Sequence, residues 1–66
     1  MITVFVQVGG KTESTNISEE TYRFLREGSF LRQSPIGNYL RHIVEKYGAL
    51  TEENILKFME EKDWVL

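Results

Sequence analysis

Three small polar side chains, Thr12, Ser14 and Asn16, stand at alternate positions of the segment KTESTNI. In an extended chain alternate residues share a face. The three would set two hydroxyls and an amide side by side, each able to donate and accept hydrogen bonds. The preceding segment, ITVFVQV, alternates too, with Thr3, Phe5 and Gln7 on one side and Ile2, Val4, Val6 and Val8 on the other. An aromatic ring between polar neighbours is either covered by the chain's end or a second chain, or left exposed as a contact point. This is the chemistry of binding. Bond-making asks for a nucleophile, a base and an orienting group that converge, and the chain has one histidine, His42, and no cysteine. His42 lies off the apolar stripe of its segment and reads as a surface residue. Glu52-Glu53 and Glu60-Glu61 read as a complement to a helix dipole and a solvated face. Gly9-Gly10 lacks the third glycine and the following helix of a dinucleotide loop, and there is no P-loop. No enzymatic activity, no metal and no cofactor are expected.

The elements that must hold these residues follow from turn and cap signals. Gly9-Gly10 is a two-residue hairpin turn, because a primed turn needs positive φ, which glycine adopts without strain. That turn pairs Val8 with Lys11, Val6 with Glu13, Val4 with Thr15 and Ile2 with Ile17 on the inner face. On the outer face it pairs Gln7 with Thr12, Phe5 with Ser14 and Thr3 with Asn16. Ser18 caps a first helix, with Glu19 and Glu20 at its positive end and Ile17 and Tyr22 at staple spacing. Gly28 is its expected stop, and GSFLRQ is either a loop that buries Phe30 and Leu31 or a further turn of the same helix. SPIGNYLRHIVEKYG is a helix capped by Ser34, with Pro35 in its first turn and Gly48 at its end. Gly37 sits in its first turn, where a glycine costs little. Thr51 caps a third helix, flanked by Leu50 and Ile55, whose apolar side is Ile55, Leu56, Phe58 and Met59. The final DWVL either adds a short C-terminal strand or packs Trp64 over a helix seam. The fold class expected is α+β: an N-terminal β-hairpin followed by three helices in a single small domain over residues 1–66. The valine face is expected to pack on Leu25, Leu40, Ile43, Val44 and Leu56.

Size bounds the function further. A chain of 66 residues buries only about 60% of its unfolded surface, and the usual remedies are disulfides, a metal or a partner. With no cysteine, association is the remedy left, so a homodimer is expected. The content, 41% hydrophobic and 27% charged, is that of a globular protein. No apolar run is long enough to span a bilayer and no signal peptide is visible, which points to the cytoplasm and away from membranes. The net charge is −2, but it is uneven: Arg23, Arg26, Arg32 and Arg41 lie in the middle, and the C-terminal third is acidic.

The stretches TESTNISEETYRFL and SPIGNYLRHIVEKY, in this order and at this interval, resemble the ribbon-helix-helix (MetJ/Arc-like) DNA-binding family over residues 12–47. The apolar pairs Tyr39-Leu40 and Ile43-Val44, with the basic Arg41, fall in register with the family's second helix. The resemblance implies a dimer whose ribbon, one strand from each subunit, lies in the major groove of double-stranded DNA. Thr12, Ser14 and Asn16 would then face base edges. The first turn of the second helix, from Ser34, would hold a phosphate with backbone N–H groups, and Arg41 would lie among the contacts. The sequence departs from the family at Glu13, where an inward apolar residue is usual, and in the additional strand ITVFVQV. A shorter resemblance, of VFVQVGGKT and the helix after it, is to ubiquitin-like β-grasp openings. The alternative to DNA is a protein partner, bound as by an inhibitor or accessory subunit through the hairpin edge or through Thr3, Phe5 and Gln7.

Overall fold

Gly9 and Gly10 have φ values of 59° and 82°, the two positive values that a type I′ turn requires. The turn joins β1 (Ile2–Val8) to β2 (Lys11–Ile17), and the antiparallel register runs from Val8↔Lys11 to Ile2↔Ile17, as the glycine pair predicts. Three helices follow: α1 (Glu19–Arg32), α2 (Ile36–Tyr47) and α3 (Glu52–Glu61). The computed structural model describes residues 1–61, so the expectation for DWVL lies outside the described residues. The architecture is α+β, an N-terminal hairpin followed by three helices.

The inner face of the hairpin closes onto the helices. Val4, Val6 and Ile17 are buried, with Ile2 and Val8 half-buried at the ends. Helix α2 packs on β1 and also touches α1 and α3, so it lies at the centre of the fold. Leu25 of α1, Leu40 and Ile43 of α2, and Ile55, Phe58 and Met59 of α3 complete the core, with Val44 packed at its margin. Leu56 does not join them; it is 46% exposed. On a helix turning 100° per residue, Ile55, Phe58 and Met59 define the inward stripe, and Leu56 falls on its flank.

Helix α1 starts as its sequence predicts. Ser18 has extended backbone, and its Oγ accepts the Thr21 N–H at 3.1 Å. Its end is a correction: Gly28 does not stop the helix. A glycine terminates a helix by turning left-handed, and Gly28 is buried within helical backbone; the left-handed residue is Gln33, at φ 54°. The Gln33 N–H donates to Phe30 O at 3.2 Å and the Ser34 N–H to Ser29 O at 3.1 Å, the paired bonds of a Schellman turn. GSFLRQ is therefore a further helical turn, and Phe30 and Leu31 are carried out into solvent rather than buried in a loop.

The start of α2 is a second correction. The cap residue is Pro35, not Ser34: Pro35 keeps extended backbone (φ −62°, ψ 147°), and its carbonyl accepts the Asn38 N–H at 3.1 Å. Ser34 lies one residue outside, where its carbonyl accepts the Ser29 hydroxyl. Gly37 is in the first turn with open space around it, and Gly48, at φ 85°, ends the helix. Thr51 caps α3 as expected, its Oγ1 accepting the Asn54 N–H at 3.1 Å, with Leu50 and Ile55 both buried beside it. Among the described residues no helix is long and apolar enough to cross a membrane.

Candidate functional site

The strand parity that buries Val4 and Val6 drives their neighbours outward. Thr3, Phe5 and Gln7 of β1 and Thr12, Ser14 and Asn16 of β2 are all exposed on the outer face of the hairpin. They form three cross-strand pairs: Thr3 with Asn16, Phe5 with Ser14, and Gln7 with Thr12. The Thr3 hydroxyl donates to Asn16 Oδ1 at 2.6 Å, and the Asn16 amide keeps two N–H donors of its own. Phe5, 68% exposed, stands at the middle of the face. All six side chains are uncharged. The face can accept and donate hydrogen bonds and can lay an aromatic ring on a partner, but it supplies no charge of its own.

The edge of β2 adds backbone chemistry. The sheet has two strands, β1 and β2, among the described residues. A two-residue turn makes Val8–Lys11 a mutually hydrogen-bonded pair, and such pairs alternate along an antiparallel ladder. The N–H and C=O groups of Lys11, Glu13, Thr15 and Ile17 thus point toward β1. Those of Thr12, Ser14 and Asn16 point out from the open edge. One run of three residues therefore presents side chains on the face and backbone donors at the edge.

The other expected contacts lie elsewhere. Ser34 and Arg41 belong to the helical layer that covers the inner face, and are not brought onto the outer face. Arg41 is exposed, and its Nη2 donates to Asn38 Oδ1 at 2.8 Å within one turn of α2. Pro35 gives α2 no side-chain cap, and Gly37 leaves its first turn uncovered. His42 is exposed, 3.8 Å from the Glu45 carboxylate on the same helix. Among the described residues no group of three or more acidic, histidine or cysteine side chains is placed to hold a metal.

Two features were not foreseen from the sequence. Glu52 Oε2 accepts the backbone N–H of Ser18 at 2.9 Å, so the first turn of α3 caps the N-terminus of α1. The Ser18 N–H, with help from the Thr21 hydroxyl, holds the Glu52 carboxyl below the usual glutamate range. The residues are 34 apart, and no local pattern announces the contact. The second is an open groove along α1, lined by Tyr22, Arg23, Arg26, Glu27, Phe30 and Leu31 with Glu19 and Ile2 beside them. Its signal was present in the i, i+4 spacing of Tyr22, Arg26 and Phe30 and of Arg23, Glu27 and Leu31.

No protein-family model, curated protein or solved structure matches the chain.

Proposed function

We propose that the chain is a non-enzymatic binding module that acts as a homodimer and reads double-stranded DNA with the outer face of its hairpin. The observation that carries this reading is the exposure of Thr12, Ser14 and Asn16, with Thr3, Phe5 and Gln7, on one uncharged face of a two-stranded ribbon. Strands about 4.8 Å apart fit a major groove about 12 Å wide, and hydroxyl and amide side chains match base edges there while an aromatic ring can meet a thymine methyl. The order strand, α1, left-handed turn at Gln33, α2 is the one that the ribbon-helix-helix resemblance implies. The uncapped first turn of α2 offers N–H groups to a phosphate. In that family the ribbon takes one strand from each subunit; here β2 has β1 of its own chain on one edge and its other edge open.

A second reading, a protein partner, is favoured by the outward N–H groups of Thr12, Ser14 and Asn16, which suit an added strand, and by the exposed Phe5. One experiment separates the two. The purified chain is offered a random duplex pool at low salt, and retained duplexes are titrated at rising salt. Retention that falls steeply with salt, and a loss of about 5- to 150-fold on Asn16→Ala from one lost base contact worth about 1–3 kcal/mol, is expected. No retained duplex at low salt, or retention indifferent to substitution of Thr12, Ser14 and Asn16 together, would overturn the DNA reading. Salt-tolerant capture of a protein, lost on Ser14→Pro, would establish the other. That substitution removes an edge N–H without touching the bonds to β1.

A further inference from the structure

Strand β1 has nearly the same pattern read from either end. About Phe5 at its centre, Val4 answers Val6, Thr3 answers Gln7 and Ile2 answers Val8. The aliphatics lie on the inner face, and Thr3, Phe5 and Gln7 on the outer. Such a strand matches itself when a second copy runs antiparallel beside it, because an isologous contact sets residue i against j and j against i.

The outer edge of β1 has the backbone groups to take that copy. The bonded pair Val8–Lys11 turns the N–H and C=O groups of Ile2, Val4, Val6 and Val8 toward β2, so those of Thr3, Phe5 and Gln7 point out from the other edge. Among the described residues no hydrogen bond reaches that edge from outside the hairpin. Edge strands are ordinarily guarded by a lysine, a proline, a bulge or an inward-pointing charge. Strand β2 is guarded, with Lys11 and the inward Glu13. Strand β1 carries no charge, no proline and no bulge over seven residues, which makes it a template for pairing.

The pairs that each edge would make differ as well. Two copies of β2 in full register about Ser14 set Lys11 against Ile17, and the next register sets Glu13 against Glu13, like charges directly opposite. Two copies of β1 in full register about Phe5 set Val4 against Val6 and Ile2 against Val8 on the inner face. Ile2 and Val8, half-buried in one chain, gain cover there. On the outer face Thr3 meets Gln7, a hydroxyl against an amide, and Phe5 meets Phe5. The register agrees with the backbone, since Thr3–Gln7 and Phe5–Phe5 are the pairs whose N–H and C=O groups face each other.

We infer that the outer edge of β1 is the interface for a second copy of this chain, the two hairpins joining antiparallel with the two-fold axis at Phe5. The inference rests on the homodimer of the reading above and names its interface. It places that interface on β1, whereas the ribbon-helix-helix resemblance would place it on β2. A two-stranded hairpin is marginal by itself; the pair makes a four-stranded sheet in the order β2, β1, β1, β2. Thr12, Ser14 and Asn16 of both copies then share one outer face.

A residue on the axis meets only itself, and that tests the register. The mass is followed by sedimentation equilibrium at low salt and without nucleic acid, from about 1 μM to about 1 mM. The natural chain is expected to double its mass with concentration. Phe5→Lys and Phe5→Glu, each alone, set like charges across the axis and are expected to weaken doubling at least about tenfold. An equimolar mixture sets lysine against glutamate and is expected to associate at least about tenfold more tightly than either variant alone. Phe5 is exposed, and circular dichroism checks that each variant stays folded. Amide hydrogen exchange gives a second measure: the N–H groups of Thr3, Phe5 and Gln7 are expected to slow as concentration rises, and those of Thr12, Ser14 and Asn16 to stay unchanged. A natural chain whose mass stays fixed, single variants that double unimpaired, or a mixture no tighter than its components would each overturn the interface. Protection that arises at Thr12, Ser14 and Asn16 instead would assign the association to β2. A chain that doubles through β1 yet retains no duplex would overturn the DNA reading and leave the interface standing; a duplex retained by a monomer would do the reverse.

Discussion

Helices α1 and α2 adjoin in the chain and are similar in length, yet they stand differently in the fold. Helix α2 touches β1, α1 and α3 and spends its apolar residues on the interior: Leu40 and Ile43 are buried, and Ile36, Tyr39, Val44 and Tyr47 pack at the margin. Helix α1 divides its apolar residues. Leu25 goes fully to the core, while Phe30 and Leu31 stay in solvent above Arg26 and Glu27. A helix with one apolar stripe is satisfied by its own domain; a helix with two is satisfied on one side only. In a chain this short, where little apolar residue can be spared from the core, the second stripe of α1 is the more informative of the two faces.

The sharpest way to break the comparison is to remove one apolar side chain from each class. Ile43 is fully buried at the centre of the fold. Truncation of such a residue to alanine costs about 2–5 kcal/mol in lost transfer energy and cavity. Domains of this size hold roughly 3–10 kcal/mol in all, so Ile43→Ala is expected to leave much of the chain unfolded at room temperature. Leu31→Ala removes a similar volume from an exposed position and is expected to change stability by no more than about 0.5 kcal/mol. Urea unfolding of both variants at one low protein concentration measures both. Equal losses would mean that α1 has no spare stripe.

How far each helix could be read from the sequence follows the same division. The hairpin register, the Ser18 and Thr51 caps and the Gly48 stop are each written within a few residues, and each appears in the structure as written. The outer face of the hairpin was equally legible, because period two places Thr12, Ser14 and Asn16 together wherever the valines are buried. The end of α1 was not. Glycine is the residue that most easily turns left-handed, and Gly28 invited that reading, but a helix stops where its Schellman bonds form. Here they form around Gln33. With the further helical turn only one of two open readings of GSFLRQ, the helical register of Phe30 and Leu31 was not fixed, nor with it the groove. Leu56 failed for a simpler reason, since it lies about 100° round the helix from Ile55 and off the stripe that Ile55, Phe58 and Met59 turn inward.

A smaller effect tests that explanation. Gln33 holds φ 54° without being glycine, a backbone that costs an ordinary L-residue about 1–2 kcal/mol. Glycine removes that strain and gives back part of the gain through its freer unfolded chain. Gln33→Gly is expected to raise stability by about 0.5–1 kcal/mol, read as a higher urea midpoint with an unchanged slope. No gain, or a loss, would mean that the Gln33 side chain contributes something that offsets its backbone.

The start of α1 supplies the last and finest test, because there the two helices differ again. Helix α2 begins at Pro35 with no side-chain cap, whereas α1 begins with a local cap from Ser18 and a distant one from Glu52. The distant cap depends on charge. The Ser18 N–H and the Thr21 hydroxyl bond to the Glu52 carboxylate and lower its pKa in the folded chain. A carboxyl whose pKa is lowered by folding contributes stability that is complete above its unfolded value, about 4.3, and that drains away as pH falls through the lowered folded value. Glu52→Gln keeps the shape and an acceptor oxygen but has no proton to gain. The natural chain is therefore expected to be more stable than Glu52→Gln at pH 6, and the difference to shrink steadily toward pH 3. All other carboxylates are common to both chains and cancel in the comparison. A difference that held constant down to pH 3 would leave the Glu52 contact a neutral hydrogen bond, and would remove the charge from the link between α3 and α1.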